Sequence, residues 1–333
     1  MSVSKKRVFV RKLAVVALSA GVIVSLTGCA NGPFDLSACS PLYPAGSNSA
    51  LVSADGPLGD DPAAEFATPL IADSVQSQEL VVGDGEQVSA GDIASVNITI
   101  YSGATGEQLT SSGHGEAGLL APVVEQAPHF GQVAQCSTVG SRVVTVGTAG
   151  QILGAESIAQ NQLPLTEDDA IVMVSDIELR YPGKADGTNS VPPAGLPAVV
   201  LAPNGQPGFT FPTAEDPTEL KVATLKVGSG AVVKSGDIGV MHVSGLDWNA
   251  KKTFMNTWEG NGVPQVFALV SSDTVENGLP PALADALIGQ TVGSQVQIVL
   301  PPDVGFTEGT LPEGATAGKT LVFVFDILGI QEP

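Results

Sequence analysis

Short apolar runs rich in β-branched residues recur along most of the chain, separated by Gly, Pro and Asp. Three clear runs are Val240–Ser244, Val296–Leu300 and Leu321–Leu328. Runs of about four to eight such residues between turn residues are typical of β-strands. Only one stretch in each half suits a helix, Phe130–Gln135 in the first half and Pro281–Leu287 in the second. Many antiparallel strands around one short helix predict an α+β fold.

The two halves of the chain repeat one another. Three short segments recur in the same order, at offsets that differ only by the length of a loop. Gly83–Ile93 matches Gly228–Ile238 at an offset of 145 residues, Val139–Val143 matches Val292–Val296 at 153, and Val172–Ile177 matches Val322–Ile327 at 150. Recurrence of this kind predicts a duplicated domain.

Changes in composition place the boundaries between segments. The sequence predicts a signal peptide at 1–28, a flexible stalk at 29–77, a first domain at 78–182, a linker at 183–217 and a second domain at 218–333. The stalk and the linker are rich in Ser, Gly, Pro and Asp and lack periodicity, which is typical of flexible segments. A short strand is expected near Glu65–Ile71 within the stalk.

The N-terminal residues have the features of an export signal. A basic start is followed by an apolar run from Leu13 to Val24 and then by Leu-Thr-Gly-Cys29. The run is shorter than the ~20 residues that a membrane span needs. The ending resembles a bacterial lipobox, in which the Cys29 sulfur carries a lipid and anchors the protein to the extracytoplasmic face of the membrane. An ordinary cleaved signal beside a chance cysteine is the alternative.

The charge excludes one class of partner. The formal net charge is −20, and removal of residues 1–28 would take away five basic residues and lower it to −25. A surface this acidic repels nucleic acid and anionic membranes. We therefore expect contact with the membrane only through the N-terminal lipid.

Two further cysteines remain if Cys29 is lipidated. Cys39 and Cys136 form an even pair in an oxidising compartment. We expect a disulfide that pins the N-terminal segment to the first domain, with two separate thiols as the alternative.

Several common sites are not indicated. The Gly-x-Gly pairs at Gly83 and Gly228 lack a third glycine that opens a helix, so turn glycines explain them better than dinucleotide binding. The three histidines, His114, His129 and His242, lie far apart and beside no ligand cluster. No cofactor or metal is expected.

In the second half, a series of motifs resembles the FKBP family of peptidyl-prolyl isomerases in order and spacing. The motifs are His242–Leu246, Lys252–Phe254, Leu279–Leu283, Gly289–Ser294, Pro301–Phe306 and Thr320–Leu328. Residues 80–181 resemble a more degenerate copy. The resemblance implies two FKBP-like domains, each an antiparallel sheet half-wrapped around one short helix, with an apolar pocket between sheet and helix.

The resemblance also assigns residues to that pocket. Phe254 and Phe323 stand at positions where the family has aromatic side chains, and Phe306 takes the place of a tyrosine. Leu283 replaces an indole at the pocket floor. Ordinary core packing is the alternative for each of these side chains.

Other pocket positions depart further from the family pattern. Val243 takes the place of a tyrosine, and Met255 that of an aspartate beside the reacting amide. Leu279 leads into Pro280, which stands where the family uses a backbone N–H to hold the substrate carbonyl. Proline has no N–H to donate.

The first copy also lacks the full set of pocket residues that is typical of the family. Leu109 and Thr110 replace its Phe-Asp pair and Met173 replaces its strand aromatic, while Phe130 keeps an aromatic floor and Ala127 a usable N–H. In the second copy, Trp248 and Trp258 flank loops near the pocket, where they either anchor a partner or pack onto the sheet.

The resemblance implies a weak extracytoplasmic peptidyl-prolyl isomerase that acts on X–Pro bonds of exported polypeptides. The departures at the pocket leave a catalytically inactive FKBP-like binding or chaperone module as the alternative. A purely structural lipoprotein spacer is a third interpretation, which requires nothing from the pocket.

Overall fold

Each predicted repeat forms one antiparallel sheet in the structure, a computed structural model that describes residues 39–114, 118–124, 130–270, 279–306 and 311–331. The strands of the first half are β1 (Ser53–Asp55), β2 (Ala63–Glu65), β3 (Gln76–Val81), β4 (Ile93–Ser102), β5 (Gln108–Ser111), β6 (Leu119–Pro122), β7 (Arg142–Thr148) and β8 (Ala170–Tyr181). Those that follow are β9 (Thr188–Asn189), β10 (Ala198–Leu201), β11 (Pro207–Thr210), β12 (Lys221–Val227), β13 (Ile238–Asp247), β14 (Thr253–Asn256), β15 (Gln265–Ala268), β16 (Gln295–Leu300) and β17 (Leu321–Gln331). The α-helices are α1 (Ala149–Ile152), α2 (Gly154–Gln160) and α3 (Pro281–Leu287), with 3₁₀ turns at Ser49–Leu51, Phe130–Ala134 and Pro302–Val304. The predicted α+β class is confirmed.

The two sheets share one topology, which confirms the predicted duplication. The first sheet has the order β3-β7-β8-β4-β5, with β6 beside β4. The second has the order β12-β16-β17-β13-β14, with β15 beside β13 and β9 added at the outer edge of β12. Strand for strand, the positions correspond.

Shifts in the register of strand pairing also recur at equivalent positions of the two domains. The pairing between β4 and β8 shifts register between Ser95 and Val96, and that between β13 and β17 shifts between Val240 and Met241. These two shifts are 145 residues apart, the same offset that the sequence shows for this region. Such β-bulges are regular features of a fold rather than defects. The two domains therefore repeat one another in backbone detail as well as in strand order.

The Gly-x-Gly pairs form equivalent turns in the two domains. The N–H of Gly85 donates to the carbonyl of Val139 over 3.1 Å, and that of Gly230 donates to the carbonyl of Val292 over 3.0 Å. A Cβ added at Gly83 would overlap the Val139 carbonyl. Close approach of two backbone segments therefore requires glycine here, in agreement with the prediction of turn glycines.

Helix α3 begins and ends where the sequence predicts. Pro281 occupies its first turn, and the carbonyl of Pro280 accepts hydrogen bonds from the N–H groups of Leu283 (2.9 Å) and Ala284 (3.0 Å). Proline is favoured at this position because the first N–H groups of a helix lack intrahelical partners. Leu283 and Leu287 are buried in one apolar cluster with residues of the second sheet. In the first domain, the predicted helix is the 3₁₀ turn Phe130–Ala134.

Residues 39–77, which the composition assigned to a flexible stalk, pack instead on the outer face of the first sheet. Val52 and Leu70 lie in one apolar cluster with Val144 and Val172 of β7 and β8. These strands carry apolar residues on both faces of the sheet. The apolar side chains on the outer face must therefore also be buried from water, and residues 39–77 pack over them. The strand expected near Glu65–Ile71 is absent, since β2 ends at Glu65 and residues 66–71 form bends and irregular backbone.

The linker 183–217 is also packed. Strands β10 and β11 pair as a hairpin, and Phe209 and Phe211 join Trp248 and Val299 in an apolar cluster on the outer face of the second sheet. The aromatic residues of this segment bury apolar surface against the sheet. The Gly and Pro content of the segment had indicated flexibility and did not reveal this packing.

The two domains meet through a small apolar contact. Ile93 and Tyr181 of the first domain pack with Val240 and Leu328 of the second. The Tyr181 ring lies so close to Gly329 that a Cβ there would overlap it.

Among the described residues, no helix has the length and apolar character needed to cross a membrane.

Candidate functional site

Three phenylalanines of the second domain form an aromatic group on the face of its sheet that packs against α3. The rings of Phe254 on β14 and Phe323 on β17 lie edge to face with centroids 5.7 Å apart. The ring of Phe306, which follows β16, lies 5.8 Å from that of Phe323 at 46°. Phe254 and Phe306 are partly exposed, whereas Phe323 is buried. The structure therefore brings together the three aromatic residues that the resemblance assigns to the pocket.

Gly245 makes room for these rings. It lies on β13 directly opposite Phe323 of β17. A Cβ at this position would stand 2.7 Å from the ring of Phe254 and 3.1 Å from that of Phe323. The sequence analysis missed this residue, although a glycine inside a strand is a signal of close approach.

Two further phenylalanines extend this aromatic group into the core of the second domain. Phe325 stacks on Phe323 with centroids 6.0 Å apart, and Phe267 of β15 meets Phe325 edge to face at 6.0 Å. Both side chains pack in the core of the second domain. Phe325 was inside a predicted strand but was not assigned a role, because alternation along a strand does not reveal which partner a buried ring meets.

The remaining predicted pocket residues lie around the same core. Val243 and Leu283 are fully buried in it, and Met255 is partly buried against it. Leu279 and Pro280 are buried at the start of α3. Pro280 is the N-cap of this helix, and as a proline it has no N–H to donate. Residues 271–278, which precede Leu279, lie outside the described residues.

The aromatic group and the side chains packed around it are apolar. None of the side chains named above carries a charge. His242, on the same strand as Val243, points to the opposite face of the sheet, where its ring stacks on Trp258 with centroids 4.6 Å apart. Burial lowers the pKa of His242 to about 4, so the ring is neutral at pH 7. No cluster of potential metal ligands occurs among the described residues.

The equivalent site of the first domain is filled by aliphatic side chains. Leu109 and Met173 occupy the positions of Phe254 and Phe323, and Ile100 stands at the position of Gly245. Helices α1 and α2, which follow β7 where Phe306 follows β16, add Ile152 and Ile158 to the same core. Thr110 lies on β5, and Phe130 packs against this core from the 3₁₀ turn. Ala127 and His129 lie outside the described residues.

Both tryptophans are packed onto the second sheet. Trp248 is 4% exposed and meets Phe211 edge to face at 5.4 Å, and Trp258 is 8% exposed. Of the two alternatives, the structure therefore places both indoles on the sheet rather than in solvent. Trp258 lines a cleft between the domains.

A disulfide joins Cys39 to Cys136, with Cα atoms 5.5 Å apart. Cys39 opens the described part of the N-terminal segment, and Cys136 follows the 3₁₀ turn of the first domain. This is the pairing that the sequence analysis expects. Cys29 and the rest of residues 1–38 lie outside the described residues.

Comparisons with known proteins identify relatives of one kind. No protein-family model matches the chain. It is 28% identical over 126 residues to a probable FK506-binding protein of Corynebacterium glutamicum, an alignment that covers 37% of this chain and 97% of that protein. It is 26% identical over 98 residues to the peptidyl-prolyl cis-trans isomerase FKBP17-3 of Arabidopsis thaliana, covering 29% of this chain and 42% of that one.

Solved structures of the same kind are matched at low overall similarity. The three FKBP domains of wheat FKBP73 match with 11% identity and a TM-score of 0.30, over 78% of this chain and 95% of that one. FkpA from Escherichia coli matches with 22% identity and a TM-score of 0.29, over 42% of this chain and 53% of that chain.

Proposed function

We propose that this chain, whose curated relatives are FKBP-type proteins, is a peptidyl-prolyl cis-trans isomerase that acts through the aromatic pocket of its second domain. One observation carries the proposal. Phe254, Phe306 and Phe323 converge over Gly245 in the second domain, whereas aliphatic side chains fill the equivalent place in the first. Turnover is accordingly assigned to the second domain.

The chemistry requires binding rather than a reactive group. Rotation about an X–Pro bond breaks amide resonance and has a barrier of ~18–20 kcal/mol, so the unaided reaction takes tens of seconds or longer. An apolar aromatic pocket holds the proline ring and removes water from the amide. Because the twisted amide is less conjugated and less polar than either planar form, such a pocket binds it better. Each ~1.4 kcal/mol of preference accelerates rotation tenfold.

The missing N–H predicts a slow enzyme. Neither Pro280 nor Pro281 can donate a hydrogen bond to a substrate carbonyl at the start of α3. A lost hydrogen bond is worth about 0.5–1.5 kcal/mol. We therefore expect turnover to be roughly two- to tenfold slower than in a pocket that keeps this donor.

An assay on residues 30–333 tests the proposal. Isomerisation of a proline-containing peptide is followed by NMR exchange, with Phe254→Ala as the pocket variant and Leu109→Ala as its matched control in the first domain. We expect at least a tenfold loss of kcat/KM for Phe254→Ala and less than a twofold change for Leu109→Ala. Equal rates for the two variants would contradict the assignment of the pocket.

A binding module without turnover is the second candidate. It is favoured by the absence of an N–H at Pro280, the N-cap of α3. It predicts that a proline-containing peptide binds to the second domain while its isomerisation rate stays at the uncatalysed value. The NMR experiment distinguishes the two, because chemical-shift changes report binding independently of exchange.

The location is part of the proposal. A basic, apolar leader that ends in Cys29 supports export and lipid anchoring at the extracytoplasmic face of the membrane, and a disulfide between Cys39 and Cys136 fits an oxidising compartment. The clients would then be exported polypeptides. Growth with a radiolabelled fatty acid tests the anchor, since Cys29→Ser should remove both the label and the membrane fraction of the protein.

A further inference from the structure

Strand β11 has an unpaired edge that faces a groove. Strands β10 and β11 form a two-stranded sheet of their own, so β11 has no second neighbouring strand among the described residues. A groove of about 520 Å³ follows it, lined on one side by the consecutive residues 207–211 and on the other by Leu246, Lys251 and Thr253 of the β13–β14 hairpin. The described residues that line the groove include none of β10. The groove therefore lies along the side of β11 that faces away from β10.

The pairing of β10 with β11 shows which backbone groups are available in the groove. The N–H of Ala202 donates to the carbonyl of Gln206 over 2.9 Å where the hairpin turns. Alternate pairs of an antiparallel ladder exchange hydrogen bonds, so the next pair to do so is Val200 with Gly208. Phe209, the following residue, therefore directs its N–H and its carbonyl away from β10. Both groups are available to a further strand.

The side chains of the groove combine apolar surface with one positive charge. Phe209 and Phe211 are half-buried where they pack on the outer face of the second sheet, and Leu246 is buried beside them. The Nζ of Lys251 lies 6.0 Å from the centre of the Phe211 ring. An added strand would thus meet aromatic surface and an ammonium group along the same edge.

The charge of Lys251 is not neutralised by the described part of the chain. Lys251 is exposed and forms no ion pair there, whereas several other basic side chains do, namely Arg142, Arg180 and Lys221. The nearby carboxylate of Asp247 accepts hydrogen bonds from the N–H groups of Asn249 and Ala250 within the turn. Lys252, the next residue, is exposed as well. In a chain with a net charge of −20, this edge is a local positive site that favours an acidic partner.

We propose that the unpaired edge of β11 is a docking site for an extended, acidic segment of a partner protein. The segment adds to the hairpin as a further strand, bonds the N–H and carbonyl of Phe209, and places a carboxylate at Lys251. A second copy of β11 fits less well, because β10 and β11 contain no acidic residue to meet that charge. The site is independent of the aromatic pocket, so it adds recruitment of a partner to the proposed isomerase.

Peptide binding to residues 30–333 tests the two parts of the recognition separately. The probe is a fluorescent peptide of about ten residues that alternates Glu with Val and contains no proline. One control peptide has Lys in place of each Glu, and the other has N-methylated backbone amides. By fluorescence anisotropy we expect the acidic peptide to bind, more weakly at high salt, and each control to bind at least about tenfold more weakly. Equal binding of either control, or no binding of the acidic peptide, would overturn the proposal.

Variants of the chain place the charge effect at the groove. Lys251→Asn removes the charge and keeps a residue that tolerates the positive φ of 54° at this position. Lys234→Asn is the matched control, an exposed lysine of the second domain that does not line the groove. We expect Lys251→Asn to raise the Kd of the acidic peptide about two- to fivefold. Lys234→Asn and the pocket variant Phe254→Ala should leave the Kd unchanged, and an equal effect of both lysine variants would contradict a specific site.

Amide hydrogen exchange followed by NMR examines the strand edge itself. We expect saturating acidic peptide to slow exchange at Phe209 by about tenfold, and to change it less than twofold at Gly208, which already bonds to β10. Lack of protection at Phe209 would overturn the pairing. A dimer of the peptide-free chain in which Phe209 is already protected would make a second copy the occupant and overturn the acidic partner.

Discussion

The side-chain amide of Gln295 donates a hydrogen bond to the buried carboxylate of Asp326 over 2.7 Å. The corresponding residues of the first domain are Arg142 and Asp176, whose guanidinium and carboxylate are also 2.7 Å apart. The duplicated domains therefore share a buried carboxylate at equivalent positions of their sheets and differ in the group that meets it. The buried carboxylate therefore meets a neutral amide in the second sheet and a positively charged guanidinium in the first.

Stability should depend on pH through Asp326. Burial raises the pKa of its carboxyl to about 6, against the opposing effects of the Ala185 N–H, Gln295 and the charges of Lys226 and Lys184. The folded chain therefore holds a proton that the unfolded chain releases near pH 4. This contribution to stability is complete below that pH and is lost as the pH rises through 6.

Asp326→Asn removes this titration and can keep both hydrogen bonds if the Gln295 amide turns over. We expect its melting temperature, relative to that of the wild type, to rise by several degrees between pH 4.5 and pH 7.5. Thermal unfolding at these two pH values measures the difference. His242 changes stability in the opposite sense, because its lowered pKa makes protonation destabilising as the pH falls below 6.5, but this effect is common to both proteins. Parallel pH profiles would contradict the role of Asp326.

The matched change in the first domain should have the opposite sign. Arg142 is fully buried, and its pKa is raised chiefly by its hydrogen bonds to Asp176. Asp176→Asn removes the carboxylate that is hydrogen-bonded to that buried guanidinium. Breaking a buried pair in this way costs about 3–5 kcal/mol, so we expect a large fall in the urea midpoint at pH 7. A midpoint within experimental error of the wild type would show that Gly56 and Pro57, whose carbonyls also bind Arg142, suffice.

Gly245→Ala should impair the pocket more than the fold. The added methyl group would lie 2.7 Å from the Phe254 ring, and that partly exposed ring can move away at modest cost. Overpacking typically costs about 1–3 kcal/mol. We expect kcat/KM to fall about tenfold while the protein remains folded by circular dichroism. Gly208→Ala is the control, because its Cβ would meet only the Val200 carbonyl at an ordinary 3.5 Å. An unchanged kcat/KM for Gly245→Ala would show that activity does not depend on the positions of these rings.

Removal of the disulfide should loosen the N-terminal segment before it affects the second domain. Cys39 and Cys136 are 97 residues apart, and a crosslink across a loop of about 100 residues is worth up to roughly 4–5 kcal/mol in the chain-entropy view. We expect the double Cys→Ser variant to unfold at lower urea and to be cleaved first within residues 39–77 by a protease. Isomerase activity of the folded variant should remain within twofold of the wild type. First cleavage elsewhere in the chain would show that other contacts hold this segment.

Local patterns predicted the strands and α3 well for a physical reason. The Pro-Pro start and the apolar spacing of Leu283 and Leu287 act within one turn of chain, so they need no knowledge of the rest of the fold. The same applies to the repeated turns at Gly83 and Gly228, whose glycines are required by a nearby backbone. By contrast, the N-terminal segment and the linker were assigned as flexible, because their few apolar residues acquire a partner only when the outer sheet faces exist.

The sequence by itself determined the duplication and the α+β class, since both are written in the order, spacing and type of the residues, while its resemblance to a known family predicted a pocket at Phe254, Phe306 and Phe323. Only the tertiary structure decided that Gly245 seats their rings, that Ile152 and Ile158 fill the other domain, and that the domains enclose a cleft. The physical reason is distance along the chain. Each of these features depends on packing between segments tens to hundreds of residues apart, and no local pattern of hydrophobic and polar residues encodes which surfaces will meet.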